Sequence, residues 1–351
     1  MVGRGPHGHH GVKAALDRHA RPHMGSGDRR VAATVRHLES DPPKPLRLLI
    51  AYDGSETAAD AIRVAARLFP RVHAHVVTVR APTLGMDDVA LARVAMPDSV
   101  IRTGAAEHER AVRAVAEELL ERGRLAAERA GLQATVEARE STSPWRAVAD
   151  AASAAEADVI VCGSRGHGRF SRALLGSTSS SLLYHADRSV LVVPPGGGDL
   201  EGPALIGYDG SAAADEVVDV AARLLMGRPA IVAHAWSSPL ERSYAGQSLA
   251  MVPLREVDEL RRSVEEMVAG QSTELAEQGA SRARDAGLEA RPMSVEARDG
   301  TWRALAAAAR SEEAAVIVAG RRGRGAIAST VLGSVSAQLA QNAELPILIV
   351  R

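Results

Sequence analysis

The feature that most constrains the fold is a glycine-rich loop that occurs twice, with the copies 157 residues apart (Gly163 to Gly320). In both copies an apolar run that predicts a buried strand precedes the loop, and a segment able to start a helix follows it. The spacing is the same in both: glycine, two residues, glycine, nine residues, then glycine and serine. These positions are Gly163, Gly166, Gly176 and Ser177 in the first copy, and Gly320, Gly323, Gly333 and Ser334 in the second. The chain is therefore predicted to be a tandem repeat.

Other parts of the sequence repeat in the same order. The segment 53–55 (Asp-Gly-Ser) matches 209–211, and the last apolar run of the first repeat, 190–193, matches 347–350. Strands that alternate with helical segments favour right-handed βαβ units and parallel sheets. The predicted fold is therefore α/β, with two doubly wound parallel five-stranded sheet domains in tandem. In the first domain we expect strands at residues 46–52, 72–79, 132–139, 158–162 and 190–193.

Composition divides the chain into four segments. Residues 1–45 are basic and contain six of the twelve histidines, and we expect them to form a disordered tail. The two repeats then occupy residues 46–195 and 203–351. A glycine-rich linker, 196–202, is predicted to join them.

Charge and hydropathy exclude two classes of partner. The net charge is −1, which gives the whole molecule no electrostatic basis for binding nucleic acid. No apolar stretch approaches the roughly 20 residues that span a membrane, and the N-terminus lacks the apolar core of a signal peptide. The single cysteine, Cys162, excludes an internal disulfide and fits a reducing compartment. We therefore expect a cytoplasmic protein that binds neither nucleic acid nor membrane.

The repeated loop has the chemistry of a phosphate site. Its glycines let the backbone approach a sugar or phosphate without a Cβ in the way, and a helix start offers N–H groups and a dipole that favours an anion. Asp53 and Asp209 would lie at the carboxyl ends of strands, where ligands bind in such sheets. Neither loop contains the P-loop motif or the dinucleotide motif G-x-G-x-x-G. Two structural alternatives stay open: a plain strand-to-helix turn for the loops, and a turn or helix-capping role for the aspartates.

The loop spacing, together with the aspartate that closes the first strand, resembles the universal stress protein family over residues 46–351, twice over. The resemblance implies a fold of the adenine nucleotide alpha hydrolase-like kind and ATP as the ligand, either alone or with Mg²⁺. It also implies that the final strands, 190–193 and 347–350, could pair within one chain as an internal pseudo-dimer. A homodimer of the whole chain is open as well.

The resemblance further implies roles for single residues. The aspartates, Asp53 and Asp209, would contact the adenosine, and a residue late in the second strand, Val79 or Ala235, would meet the adenine. The first two glycines of each loop would line the ribose and phosphates, and the last glycine and the serine would hold phosphate. These are again Gly163, Gly166, Gly176 and Ser177, and Gly320, Gly323, Gly333 and Ser334.

The family resemblance implies an ATP-binding regulator of stress endurance or dormancy without strong catalysis. A slow ATPase or a nucleotide-dependent phosphoryl transferase is the alternative. His167 is a candidate base in the first loop, but Arg324 takes its place in the second, which argues against a shared catalytic role. A scaffold that no longer uses ATP is a third hypothesis. The sequence names no downstream protein partner.

Overall fold

The computed structural model describes residues 45–69, 72–82, 98–166, 175–238, 254–323, 332–342 and 344–351. The tail predicted for residues 1–45 lies outside this set except for Pro45, as do His167 and Arg324. None of the helices within the described residues is both long and apolar enough to cross a membrane.

Strands and helices alternate in the first half of the described chain, as the sequence predicts. A serine begins the first helix: the hydroxyl of Ser55 accepts a hydrogen bond from the Ala58 N–H at 3.1 Å, which satisfies one of the unpaired donors at the helix start. The elements are β1 (Leu46–Ala51), α1 (Glu56–Leu68), β2 (Val72–Arg80), α2 (Asp98–Arg129), β3 (Gln133–Glu140), α3 (Pro144–Ala154), β4 (Val159–Gly163), α4 (Ser177–His185) and β5 (Ser189–Val193).

The second half repeats the first element by element. Ser211 caps its first helix in the same way, accepting from the Ala214 N–H at 3.2 Å. The elements are β6 (Ala204–Gly207), α5 (Ala212–Leu224), β7 (Ala230–Trp236), α6 (Leu254–Asp285), β8 (Ala290–Glu296), α7 (Thr301–Ser311), β9 (Val316–Gly320), α8 (Ser334–Asn342) and β10 (Ile347–Val350).

The described strands form one ten-stranded sheet in the order β3-β2-β1-β4-β5-β10-β9-β6-β7-β8. Every pair within each half is parallel, which confirms the doubly wound prediction. The two halves meet where β5 pairs with β10 in antiparallel orientation, with Leu191 opposite Leu348. The expected internal pairing of 190–193 with 347–350 is therefore confirmed, and the two predicted sheets continue into each other.

Helices cover both faces of this sheet. On one face α1 and α2 of the first half and α5 and α6 of the second contribute to a single buried cluster. On the other face α3, α4, α7 and α8 contribute to a second cluster. Neighbouring residues of β5 alternate between the two clusters, with Leu191 in the first and Val190 in the second. Both faces of the junction strands are buried, which explains their continuous runs of valine, leucine and isoleucine.

The fourth strand of each half begins and ends one residue later than the apolar run that predicts it, with Val159–Gly163 observed against 158–162 expected in the first half. Gly163 is paired with Val193 as the last residue of β4, and Gly320 is paired with Val350 as the last residue of β9. The first glycine of each repeated loop therefore belongs to the sheet edge. Glycine has a low strand propensity, which favours the loop, but here the ladder pairing outweighs that preference.

Candidate functional site

The candidate site lies at the carboxyl end of the sheet, where the strand order reverses. Strand β1 lies between β2 and β4, so the chain leaves β1 in one direction and returns to its other side through β4. A crevice forms at such a switch point because the flanking helices lie on opposite faces of the sheet. Asp53 follows β1 and the first glycine loop follows β4, so the topology brings both to this crevice.

One oxygen of Asp53 shapes the turn that starts α1. Its Oδ1 accepts a hydrogen bond from the Ser55 N–H at 3.0 Å, and Gly54 between them has a φ of +85°. Aspartate followed by glycine suits this turn, since the carboxylate bonds to the backbone two residues on and glycine takes the left-handed conformation without strain. Oδ1 of Asp53 therefore has the turn-forming role that the structural alternative assigns to this aspartate.

The other oxygen of Asp53 lies against the glycine loop. A Cβ placed on Gly166 would lie only 2.5 Å from Asp53 Oδ2, closer than real Cβ contacts come. A side chain at position 166 would therefore push the carboxylate and the loop apart. Glycine at this position lets two segments that are distant in sequence close on each other.

Gly163 and Gly176 meet different steric demands. A Cβ on Gly163 would lie 2.8 Å from Thr57 Cγ2 of α1, so this glycine lets β4 pack closely against that helix. A Cβ on Gly176 would meet its nearest neighbour, the Ser164 carbonyl oxygen, at 3.4 Å, an ordinary contact. The first two glycines are therefore required by packing, whereas the third is not.

Backbone hydrogen bonds close the two described ends of the loop. The Ser164 N–H donates to the Val193 carbonyl at 2.7 Å, and the Gly176 N–H donates to the Ser164 carbonyl at 2.8 Å. The buried hydroxyl of Ser179, in the first turn of α4, donates to the Gly163 carbonyl at 2.6 Å. The start of α4 is thereby fixed to the end of β4.

Ser179 is not among the site residues that the sequence predicts. The signal was present, because Ser336 has the same position in the second repeat and donates to the Gly320 carbonyl at 2.6 Å. The shared pattern is therefore glycine, serine, any residue, serine, which extends the repeated motif by two residues.

The first domain has a cavity of about 520 Å³ at this place. Its lining includes all six residues predicted for the first site: Asp53, Val79, Gly163, Gly166, Gly176 and Ser177. Apolar side chains from five elements complete it, among them Val77 of β2, Val148 of α3 and Cys162 of β4. The structure therefore combines an apolar wall with a helix start and a carboxylate around one space.

Cys162 is part of the wall of this cavity, and its thiol has low reactivity near neutral pH. Burial raises the pKa of its thiol to about 12, against a smaller opposing effect of a hydrogen bond with Ser179. A thiol with so high a pKa has little thiolate, the reactive form, near neutral pH. We therefore assign Cys162 a packing role.

The second domain repeats this local geometry. Asp209 Oδ1 accepts from the Ser211 N–H at 3.0 Å and from its hydroxyl at 2.6 Å. A Cβ on Gly323 would lie 2.7 Å from Asp209 Oδ2, and the Gly333 N–H donates to the Arg321 carbonyl at 2.8 Å. Ser334 follows as the first residue of α8. The predicted loop residues of the second domain are thus placed around Asp209 as those of the first are placed around Asp53.

The side chains around the second site differ in size and polarity. Ala235, late in β7, replaces Val79, and Leu305 of α7 replaces Val148. Leu305 Cδ1 lies 3.4 Å from where a Cβ on Gly207 would be, so the larger leucine is packed against the end of β6. Val335 replaces Thr178 at the helix start. The two sites therefore share backbone geometry and differ in their walls.

Metal chemistry has no cluster to support it in the described part of the chain. No group of three histidine, cysteine, aspartate or glutamate side chains there is arranged to hold a metal ion.

Comparison with known proteins agrees with the fold and the motif. The model of the universal stress protein family matches residues 46–194 and again 202–351. A universal stress protein of Mycolicibacterium smegmatis is 31% identical over 231 residues, which cover 63% of this chain and 70% of that protein.

A universal stress protein of Mycobacterium tuberculosis is 30% identical over 213 residues, and the match covers 56% of this chain and 62% of that protein. The chain thus aligns with between six and seven tenths of the length of these relatives. The crystal structure of a universal stress protein from Archaeoglobus fulgidus superposes with a TM-score of 0.52 at 20% identity, and the match covers 87% of this chain and 98% of that chain. The chain belongs to the universal stress protein family, with two domains of that family in tandem.

Proposed function

We propose that this protein binds ATP in the first-domain cavity and acts as a nucleotide-dependent regulator of a stress or dormancy response. The observation that carries the proposal is that six residues predicted from the sequence, in three segments of the chain, line one cavity at the switch point of the sheet. Their segments are far apart in sequence, and a plain strand-to-helix turn gives no reason for them to surround a space.

The cavity suits the parts of an adenine nucleotide. Its volume of about 520 Å³ falls within the usual range for small-molecule sites. The apolar wall of Val77, Val79 and Val148 offers a surface for a purine ring, and Asp53 is an acceptor for ribose hydroxyls. The start of α4 offers N–H groups and a favourable dipole to the phosphates.

The proposal extends to the second domain, because Asp209 and Gly323 repeat the close approach of Asp53 and Gly166. The smaller Ala235 and the larger Leu305 change the wall on which a base would lie. We therefore expect two ATP sites with different affinities.

We propose binding without strong catalysis. Asp53 is the one carboxylate among the described residues that line the first cavity, and its Oδ1 is engaged by the turn. Phosphoryl transfer usually requires a positioned base and carboxylates that hold Mg²⁺. Slow hydrolysis is the alternative, and it is an outcome of the test below.

The test is calorimetric titration of nucleotide-free protein with ATP, ADP and AMP, each with and without Mg²⁺. We expect two ATP sites per chain, and we expect Gly166→Ala to remove the first, because its Cβ would displace Asp53. Gly270→Ala is the matched control, because its Cβ meets nothing within 4 Å. Absence of binding to the wild type would refute the proposal, and ADP accumulating from ATP would favour the slow ATPase.

A further inference from the structure

A side chain of the second domain reaches the helix that begins at the first-domain cavity. Arg321, in the second glycine loop, donates from Nη1 to the Ala186 carbonyl at 3.0 Å. Ala186 is the C-terminal cap of α4, and the other end of α4 carries Gly176 and Ser177 in the cavity wall. One short helix therefore joins the first site to the loop of the second.

The connection is rigid by its geometry. Helix α4 has 9 residues, so it spans about 13 Å at 1.5 Å per residue. Leu182 and Leu183 bury one side of it in the core, and Ser179 fixes its first turn to the Gly163 carbonyl. A displacement at its last turn is therefore passed to its first turn, where the phosphates of the proposed ligand would lie.

A second arginine supports the same end of the helix. Arg351, directly after β10, donates from Nη1 to the Asp187 carbonyl at 2.7 Å. Carbonyl groups at a helix C-terminus lack partners within the helix, and the dipole there favours cations. The second domain therefore supplies two guanidinium groups to the end of α4.

The arrangement is not symmetric. Ser164 occupies the position of Arg321 in the first loop, and its side chain is too short for an equivalent reach into the second domain. The first domain forms the same loop with a serine at this position. The fold that the two domains share therefore does not require Arg321.

Arg321 is also held in a costly environment. Its Nε is buried and has no hydrogen-bond partner within the described part of the chain. Burial lowers the pKa of its guanidinium, and the neighbouring charges of Arg351 and Arg322 lower it further. A partly buried cation next to like charges costs free energy, and a serine at this position would avoid that cost.

We propose that Arg321 is a positioning residue of the first-domain nucleotide site, supplied by the second domain through α4. The inference rests on the proposed ATP binding and adds that the second domain influences the first site. The second loop sets the position of the first site's phosphate-binding helix start, whereas the first loop has Ser164 at the position of Arg321. Nucleotide at the second site, by contacting the loop that carries Arg321, would tighten binding at the first, and linkage makes that coupling reciprocal.

The test uses the full chain and hydrogen exchange of peptides covering 176–185, read as a function of ATP concentration. Arg321→Ser introduces the residue of the first loop, and Arg321→Lys keeps a cation and one donor. Arg310→Ser is the matched control: it removes an arginine of the second domain whose ion pair, with Glu344 at 3.7 Å, involves no residue of α4. Thermal unfolding of each nucleotide-free variant is measured in parallel.

We expect Arg321→Ser to raise the ATP concentration for half-maximal protection of α4 by about three- to tenfold. Arg321→Lys should recover part of the loss, and Arg310→Ser should match the wild type. A lower melting temperature with unchanged half-maximal concentration would make Arg321 merely structural and overturn the inference. If α4 of the wild type shows no ATP-dependent protection, the proposed function fails in the first domain and the inference fails with it. The measurement on the wild type therefore distinguishes failure of the proposed ATP binding from failure of the inference about Arg321.

Discussion

Asp53 Oδ2 lies where a side chain on residue 166 would have to begin, 2.5 Å from the position of a Cβ on Gly166. The second domain repeats this relationship between Asp209 and Gly323 at 2.7 Å. In both domains the aspartate therefore has two tasks: one oxygen forms the turn after the first strand, and the other contacts the glycine loop. This double use explains why the aspartate and the second glycine occur together in both repeats.

The steric roles of the glycines predict that alanine at two of these positions has effects of different size on the free energy of unfolding. Gly163→Ala should lower the free energy of unfolding by about 1–3 kcal/mol, because its Cβ would lie 2.8 Å from Thr57. Gly176→Ala should change it by less than about 0.5 kcal/mol, because its nearest contact would be an ordinary 3.4 Å. Urea denaturation of both variants checks this prediction. Equal losses of stability would mean that β4 does not need close packing on α1.

Asp53 and Asp209 should each affect ATP affinity only at the site of its own domain. Asp209→Asn keeps an oxygen that can accept from the Ser211 N–H but removes the charge next to Gly323, and we expect about a tenfold loss of ATP affinity at the second site. Photo-crosslinking with an azido-ATP analogue, followed by peptide mapping, reports each site separately. Asp53→Asn is the reciprocal control and should affect the first site. If each substitution weakened labelling in both domains to the same degree, the assignment of one aspartate to each site would be wrong.

Cys162 should react slowly with thiol reagents. With its pKa raised to about 12 by burial, roughly one thiol in ten thousand is ionised at pH 8, and the cavity wall also restricts access. We expect labelling of the folded protein to be at least about 100-fold slower than that of free cysteine. The rate should rise with pH, as thiolate forms, and in urea. Spectrophotometric thiol titration measures this, and rapid labelling of the native chain would contradict the buried position.

The junction between the halves should carry much of the stability. Leu348 is fully buried opposite Leu191, so Leu348→Ala should cost about 2–5 kcal/mol of unfolding free energy. Met226→Ala is the control, because Met226 is 54% exposed and its loss should change stability by less than about 0.5 kcal/mol. Chemical denaturation followed by circular dichroism compares the two. Similar costs for both variants would show that β5 and β10 are weakly joined.

Much of this fold was predictable because the sequence repeats its own pattern. Apolar runs such as 190–193 mark strands that are buried on both faces, and the alternation with helices then limits the topology to a doubly wound sheet. The ends of the elements were less certain, since Gly163 continues β4 only because Val193 pairs with it. The sheet register decides that pairing, and the local sequence does not encode it.

The site was predictable where the repeat marked it and not where it depended on distant contacts. Asp53 and the loop glycines were recognised because position and spacing recur, and Ser179 could have been recognised in the same way. The contact of Arg321 with Ala186 could not, because it joins two domains and the first loop has Ser164 in place of the arginine. Such contacts follow from the antiparallel β5–β10 junction, which no periodic pattern describes.

The central claim is that this chain holds ATP, and the most direct measurement is to purify it without added nucleotide, denature it and quantify the released small molecules by mass spectrometry. The account predicts ATP at close to two molecules per chain in the wild type and close to one in Gly166→Ala. Protein that releases no adenine nucleotide and then fails to bind ATP in titration would contradict the account and leave a scaffold whose loops are only turns.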